Sequence, residues 1–157
     1  KTGVTDRLTR LRYALNIKDN DMVEIFRLGG ATVTKEQVRA MTKRDEEGVY
    51  EKKLDDETFE RFLNGMITSQ RGVQEGAPEP TLELHQGNAN NLLLKKVKIA
   101  LSLTGDDMLE ILDSVEARIS KSELGAVLRK EGHRNYKECG DRYVRNFLKG
   151  LALRYRG

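Results

Sequence analysis

The sequence predicts an all-α fold in which two pseudo-equivalent four-helix repeats pack into one globule, joined by a polar linker. Three observations carry that expectation. The 157 residues include two prolines, no tryptophan and few aromatics, a composition that leans towards helices. The apolar positions recur at three- and four-residue spacing rather than alternating. Most informative, "LRYALNIKDNDMVEIF" (11–26) returns as "VKIALSLTGDDMLEIL" (97–112). Ala14, Leu15, Asp21, Met22, Glu24 and Ile25 recur there as Ala100, Leu101, Asp107, Met108, Glu110 and Ile111.

The register continues through "VTKEQVRAMTKR" (33–44) against "ISKSELGAVLRK" (119–130), and Tyr50 falls on Tyr136. One residue is then dropped, so that "FLNGM" (62–66) meets "FLKGL" (147–151) and Arg71 meets Arg156. Repeat one is 1–72, repeat two is 92–157, and 73–91 connects them. Two units are too few for a solenoid array, so each half is expected to cover the other's apolar face.

In repeat two, Leu93, Leu94, Val97, Ala100 and Leu101 follow helical spacing. Met108, Ile111, Leu112 and Val115 mark a second helix, capped by Thr104. Ser120 with Glu123, and Thr34 with Gln37 in repeat one, are capping-box patterns. Leu124, Val127 and Leu128 give the third helix an apolar side, and Val144, Phe147, Leu148, Leu151 and Tyr155 form the stripe of the fourth. Gly29-Gly30 reads as a helix stop. In repeat one, Asp55, Asp56 and Glu57 open the fourth helix, where the macrodipole favours acids. Gly65 and Gly150 hold matching places inside the fourth helices, which points to close approach of a neighbouring helix. The linker holds both prolines, three glutamates and no lysine or arginine, and is expected to be polar and flexible. His85 stands alone in it and carries no functional expectation.

Catalytic templates are absent: there is no Walker loop, Rossmann glycine fingerprint, G-x-S-x-G elbow or H-E-x-x-H. No cofactor or metal site is expected. The lone cysteine, Cys139, excludes an internal disulfide and fits a reducing, cytoplasmic setting. With His133 before it and Asp141 after it, Cys139 is the one nucleophile candidate, but no third orienting group can be named. No apolar run approaches the length of a membrane span. A helix-turn-helix is suggested around 22–44 and 108–130, although the connection is longer than such readers use.

The charge is unequally shared. Twenty-eight basic against twenty-five acidic residues leave a net charge of +3, while repeat one nets +1, the linker −3 and repeat two +5. On a helical wheel Arg142, Arg145, Lys149 and Arg156 fall on one side of the last helix, where repeat one has Glu57, Glu60, Asn64 and Arg71. Arg129, Lys130, His133, Arg134 and Lys137 add charge just before it, as do Lys95, Lys96 and Lys98 earlier, and Tyr136 and Tyr143 are candidates for stacking on bases. The expected function is a non-enzymatic helical binding module that contacts nucleic acid, with RNA or ribosomal RNA preferred over a DNA duplex. The alternative is a protein–protein adaptor or homodimer, with Arg142 and Arg145 paired to Glu57 and Glu60 across the pseudo-dyad.

The motifs "LRYAL", "DDMLEIL" and "NYKECGDRYVRNFLKGLALRYRG", in their two-copy layout, closely resemble the YehS-like bacterial proteins, a domain-of-unknown-function family. The resemblance spans essentially the whole chain, and its most specific part is the "ECGD…FLKGL" block. It implies a small cytoplasmic bacterial protein and brings no activity with it. Two departures stand out: the family's asparagine run reads "NANN" (88–91) here, and Met41 takes the place of a tryptophan common in the third helix.

Overall fold

Helix α1 (Val4–Leu15) ends at Asn16, whose left-handed backbone (φ 54) turns the chain into α2 (Asp19–Leu28). Repeat two makes the same turn: α5 (Ala89–Ala100) is followed by Ser102, also at φ 54, and then by α6 (Gly105–Asp113). The third helices, α3 (Lys35–Thr42) and α7 (Lys121–Leu128), both open on the expected capping boxes, from Thr34–Gln37 and Ser120–Glu123. Thr104 forms another with Asp107 at the start of α6. The fourth helices, α4 (Asp56–Arg71) and α8 (Asp141–Arg156), are the longest. The computed structural model describes residues 3–73, 75–76 and 78–156. Among these there is no strand, only an isolated bridge between Arg44 and Tyr50, and no helix is long and apolar enough to cross a membrane.

The repeats are interlocked rather than stacked. Within each, the second helix packs on the fourth (α2 on α4, α6 on α8). The first helix instead packs most extensively on the fourth helix of the other repeat: α1 lies along α8, and α5 along α4. A single continuous core results, with Phe26, Phe59, Phe62 and Phe147 fully buried and the Phe26 and Phe62 rings 4.8 Å apart.

The paired glycines explain how closely the helices meet. A Cβ on Gly65 would lie 1.9 Å from the carbonyl oxygen of Ile25, and one on Gly150 would lie 2.2 Å from that of Ile111. Ile25 and Ile111 are themselves repeat equivalents, so both crossings use the same device.

Four local expectations need correcting. The linker is not flexible up to 91, because α5 starts at Ala89 and Asn88, Asn90 and Asn91 are buried and hydrogen-bonded; its Gln74 and Ala77 lie outside the described residues. The apolar stripe of α8 stops at Leu151, since Tyr155 is exposed. Val115 falls in the turn after α6, and Leu101 caps α5 rather than continuing it. The connections at 29–34 and 114–120 are as long as the sequence indicated, beyond what a helix-turn-helix reader uses.

Candidate nucleic-acid interface

The pseudo-symmetry creates two matching grooves, one between α4 and α5 and one between α1 and α8. Their chemistry is opposite. In the first, Glu60 is 1% exposed and its Oε1 accepts the backbone N–H groups of Glu83 and Leu84, each at 2.8 Å. Lys96 stands 3.9 Å from the other carboxylate oxygen and donates to Asn64 Oδ1 at 2.5 Å. Burial lowers the Lys96 pKa, and the Glu60 carboxylate opposes that shift. This groove is thus filled by the chain's own linker.

In the second groove the repeat places Arg145 where Glu60 was, Lys149 where Asn64 was and Arg10 where Lys96 was. None of the described residues fills it. A hollow of about 540 Å³ is lined by Asp6, Thr9, Arg10, Tyr13, Arg44, Arg145, Asn146, Leu148, Lys149 and Ala152. Four cations face one carboxylate, and Asp6 is already engaged: Arg10 donates to it at 2.7 Å, the Tyr50 hydroxyl at 3.2 Å, and Arg44 lies 3.9 Å away. Among the described residues, Arg145 and Lys149 form no ion pair.

Of the ten residues singled out from the sequence, two line this groove. Arg145 and Lys149 line the groove; Arg142 does not. Arg156 is tied down, donating at 3.0 Å to both the Tyr13 carbonyl and Asn16 Oδ1 with its guanidinium 4.1 Å over the Tyr13 ring. Its equivalent Arg71 does similar work, donating to Ser102 Oγ at 2.6 Å. Arg129, Lys130, His133, Arg134 and Lys137 belong to the loop before α8, and none lines the groove. That loop lies against the linker instead: Glu131 meets His85 Nε2 at 2.9 Å and accepts the Asn88 amide at 3.0 Å. His133 Nδ1 accepts the N–H of Asn135, and Arg129 reaches the Asn135 carbonyl at 3.5 Å.

Tyr136 and Tyr143 are half-buried with hydroxyls turned inward, and among the described residues neither hydroxyl has a hydrogen-bond partner. Burial raises the pKa of both. Nor are the cross-dyad ion pairs formed. Glu57 pairs with Arg61 at 3.2 Å, and Glu60 is sealed in the other groove.

The asparagine run and the "ECGD" block turn out to be two halves of one fastening. Asn91 Oδ1 accepts the N–H of Cys139 at 2.9 Å, and its amide donates to the carbonyls of Val127 and Lys137. Asn90 donates to the Cys139 carbonyl and to Asp141, while the buried Arg7 donates to Asp141 at 2.6 Å and to Asn90 Oδ1. Cys139 is 3% exposed, and burial pushes its thiol up to about 12, with the Arg7 cation only partly offsetting that.

Arg10, Tyr13 and Arg44 were missed in the sequence because they belong to the other repeat. The only available signal was the duplication itself, which aligns Arg10 with Lys96 and Arg44 with Lys130.

The family model described as "Protein of unknown function (DUF1456)" matches twice, at residues 6–72 and 90–157. Among curated proteins, the uncharacterized protein YehS of Escherichia coli (strain K12) is 43% identical over 150 residues, covering 95% of this chain and 94% of that protein. No solved structure matches.

Proposed function

The chain belongs to the DUF1456 family of proteins of unknown function, and from that premise we propose that it is a non-enzymatic module that binds nucleic acid, RNA in preference to duplex DNA, in the groove between α1 and α8. The observation that carries this reading is the inversion between the twin grooves. Glu60 grips polypeptide because a carboxylate accepts main-chain N–H groups. Arg145 and Lys149 can only donate, so their groove has lost the acceptor that holds a peptide backbone and gained donors suited to phosphate oxygens. Arg10 and Arg44 on the opposite wall extend the positive field.

A non-enzymatic role is supported by Cys139, whose buried thiol is far from the thiolate state a nucleophile needs. A cytoplasmic setting is part of the same proposal and rests on the single unpaired cysteine.

Fluorescence anisotropy with labelled RNA across a salt series tests the reading. Binding should weaken steeply between about 50 and 200 mM salt. Arg145→Glu with Lys149→Glu should cost about tenfold or more, as expected when phosphate contacts become repulsive. The same charge change at Arg118 and Lys121, exposed cations outside the groove, should cost little. A wild-type protein that ignores RNA at about 50 mM salt, a condition that favours such contacts, would sink the proposal.

A further inference from the structure

We infer that the groove takes a single unpaired strand, with Tyr13 as the platform for one of its bases; the inference rests on the nucleic-acid reading above. Tyr13 is 61% exposed and stands on the boundary between two hollows. It lines the groove of about 540 Å³ and also an adjoining hollow of about 530 Å³ that contains Arg12, Lys18 and Arg156. Thr9, one turn earlier on α1, lines both as well. The two hollows therefore form one track with Tyr13 at its middle.

The ring is held ready. Arg156 covers it at 4.1 Å, and that guanidinium is itself fixed by the Tyr13 carbonyl and Asn16. An aromatic ring backed by a cation and still largely exposed offers a face on which any base can stack. Cations stand on both sides of it: Arg145 and Lys149 towards one end, Lys18 towards the other. The carboxylates on the track are already bound, Asp6 by Arg10 and Asp19 by Arg12 and Arg39. What remains is a phosphate-attracting path with a stacking platform.

The twin groove gauges the width. It accommodates one extended chain, the linker at Glu83–Leu84, whose backbone reaches the buried Glu60. A duplex, with its bases paired inside, presents only phosphates to such a cleft and leaves Tyr13 without a base. The twin has Ile99 in the place of Tyr13, so the aromatic platform occurs together with Arg145 and Lys149 in one groove, where the other has Ile99, Glu60 and Asn64.

The test compares a labelled twelve-nucleotide oligouridine RNA with a twelve-base-pair RNA duplex at about 50 mM salt, where phosphate contacts are strongest. The proteins are wild type, Tyr13→Ala, Tyr13→Phe, and Arg145→Glu with Lys149→Glu. The single strand should bind wild type about tenfold more tightly than the duplex, the size of one base-stacking contact. Tyr13→Ala should erase that preference, Tyr13→Phe should keep it, and the double charge reversal should weaken both ligands. Thermal melts of the tyrosine variants check that the fold is intact. If the duplex binds as tightly as the strand, or Tyr13→Ala binds like wild type while the charge reversal still weakens binding, the single-strand inference falls and the basic groove survives. If wild type binds neither ligand, both fall together.

Discussion

The backbone N–H of Cys139 donates to Asn91 Oδ1 at 2.9 Å, while in the other repeat the N–H of Leu54 donates to Thr5 Oγ1 at the same distance. Cys139 and Leu54 hold equivalent places, both buried, each two residues ahead of the first residue of its repeat's last helix. The cysteine is thus a small core residue where its twin is a leucine. Asn91 does more than Thr5, because its amide also satisfies the carbonyls of Val127 and Lys137. Asn91→Ala leaves two buried backbone groups and one part-buried one without this partner and should cost about 2 kcal/mol or more, measured by urea unfolding. A cost below about 1 kcal/mol would mean that water replaces the side chain.

The thiol should be unreactive in the native state. With burial holding it up to about 12, Cys139 is almost wholly protonated at pH 8. Alkylation by iodoacetamide at pH 8 should proceed at the rate of unfolding, and accelerate sharply in denaturant. Labelling of native protein at the speed of a free thiol would show that the site opens without unfolding.

Glycine-to-alanine changes should have opposite signs at different helical positions. At Gly65 and Gly150 the new methyl meets the carbonyls of Ile25 and Ile111, so each change should destabilise by about 2 kcal/mol or more. At Gly125, inside α7, a Cβ meets nothing within 4 Å. Gly125→Ala should therefore stabilise by about 0.5–1 kcal/mol. Chemical denaturation of the three variants reads both signs.

Acid should weaken the fold through its helix caps. The pKa of Asp55 is lowered by the hydrogen bonds from Thr58, that of Asp107 by those from Thr104. A carboxylate whose folded value is depressed contributes fully above its unfolded value, near pH 4, and loses that contribution as pH falls through the lower folded value. Asp55→Asn keeps the cap but cannot titrate. Its stability should therefore fall less than wild type's between about pH 5 and pH 2, followed by urea midpoints.

Neither repeat should fold alone. Separate peptides for 1–72 and 88–157 expose the faces along which α1 meets α8 and α4 meets α5. Each should show little stable helix by circular dichroism, and mixing them should restore the helical signal.

Much of this architecture could be read from the chain. Repetition placed all eight helices, since Ala14 and Ala100 or Phe62 and Phe147 can be matched by eye. Capping residues at Thr34, Thr104 and Ser120 gave three of the helix starts, because a cap is a local hydrogen bond between residues three apart. Mutual covering of the repeats was expected, but which helix of one meets which of the other was not legible, because different pairings bury the same apolar stripes. For that reason the wheel of α8 found Arg145 and Lys149 but attached them to Arg142 and the preceding loop. Arg10 on α1 and Arg44 just after α3 share the groove with them, and tertiary packing alone brings them there. The exposure of the tyrosines was hidden for a related reason: Tyr136 and Tyr143 turn their hydroxyls inward, whereas Tyr13, which nothing in the pattern distinguished, stands exposed.

The crossing of α1 onto α8 and of α5 onto α4 carries an ancestral consequence. A chain holding one such repeat could complete its core only by pairing with a second copy, and the twofold dimer so formed would own two identical grooves. Joining the copies head to tail ends that equality, because one connecting segment can lie in only one cleft. The occupied cleft then becomes committed to holding the fusion closed, through Glu60, while its counterpart is released from that duty and can acquire Arg145 and Lys149.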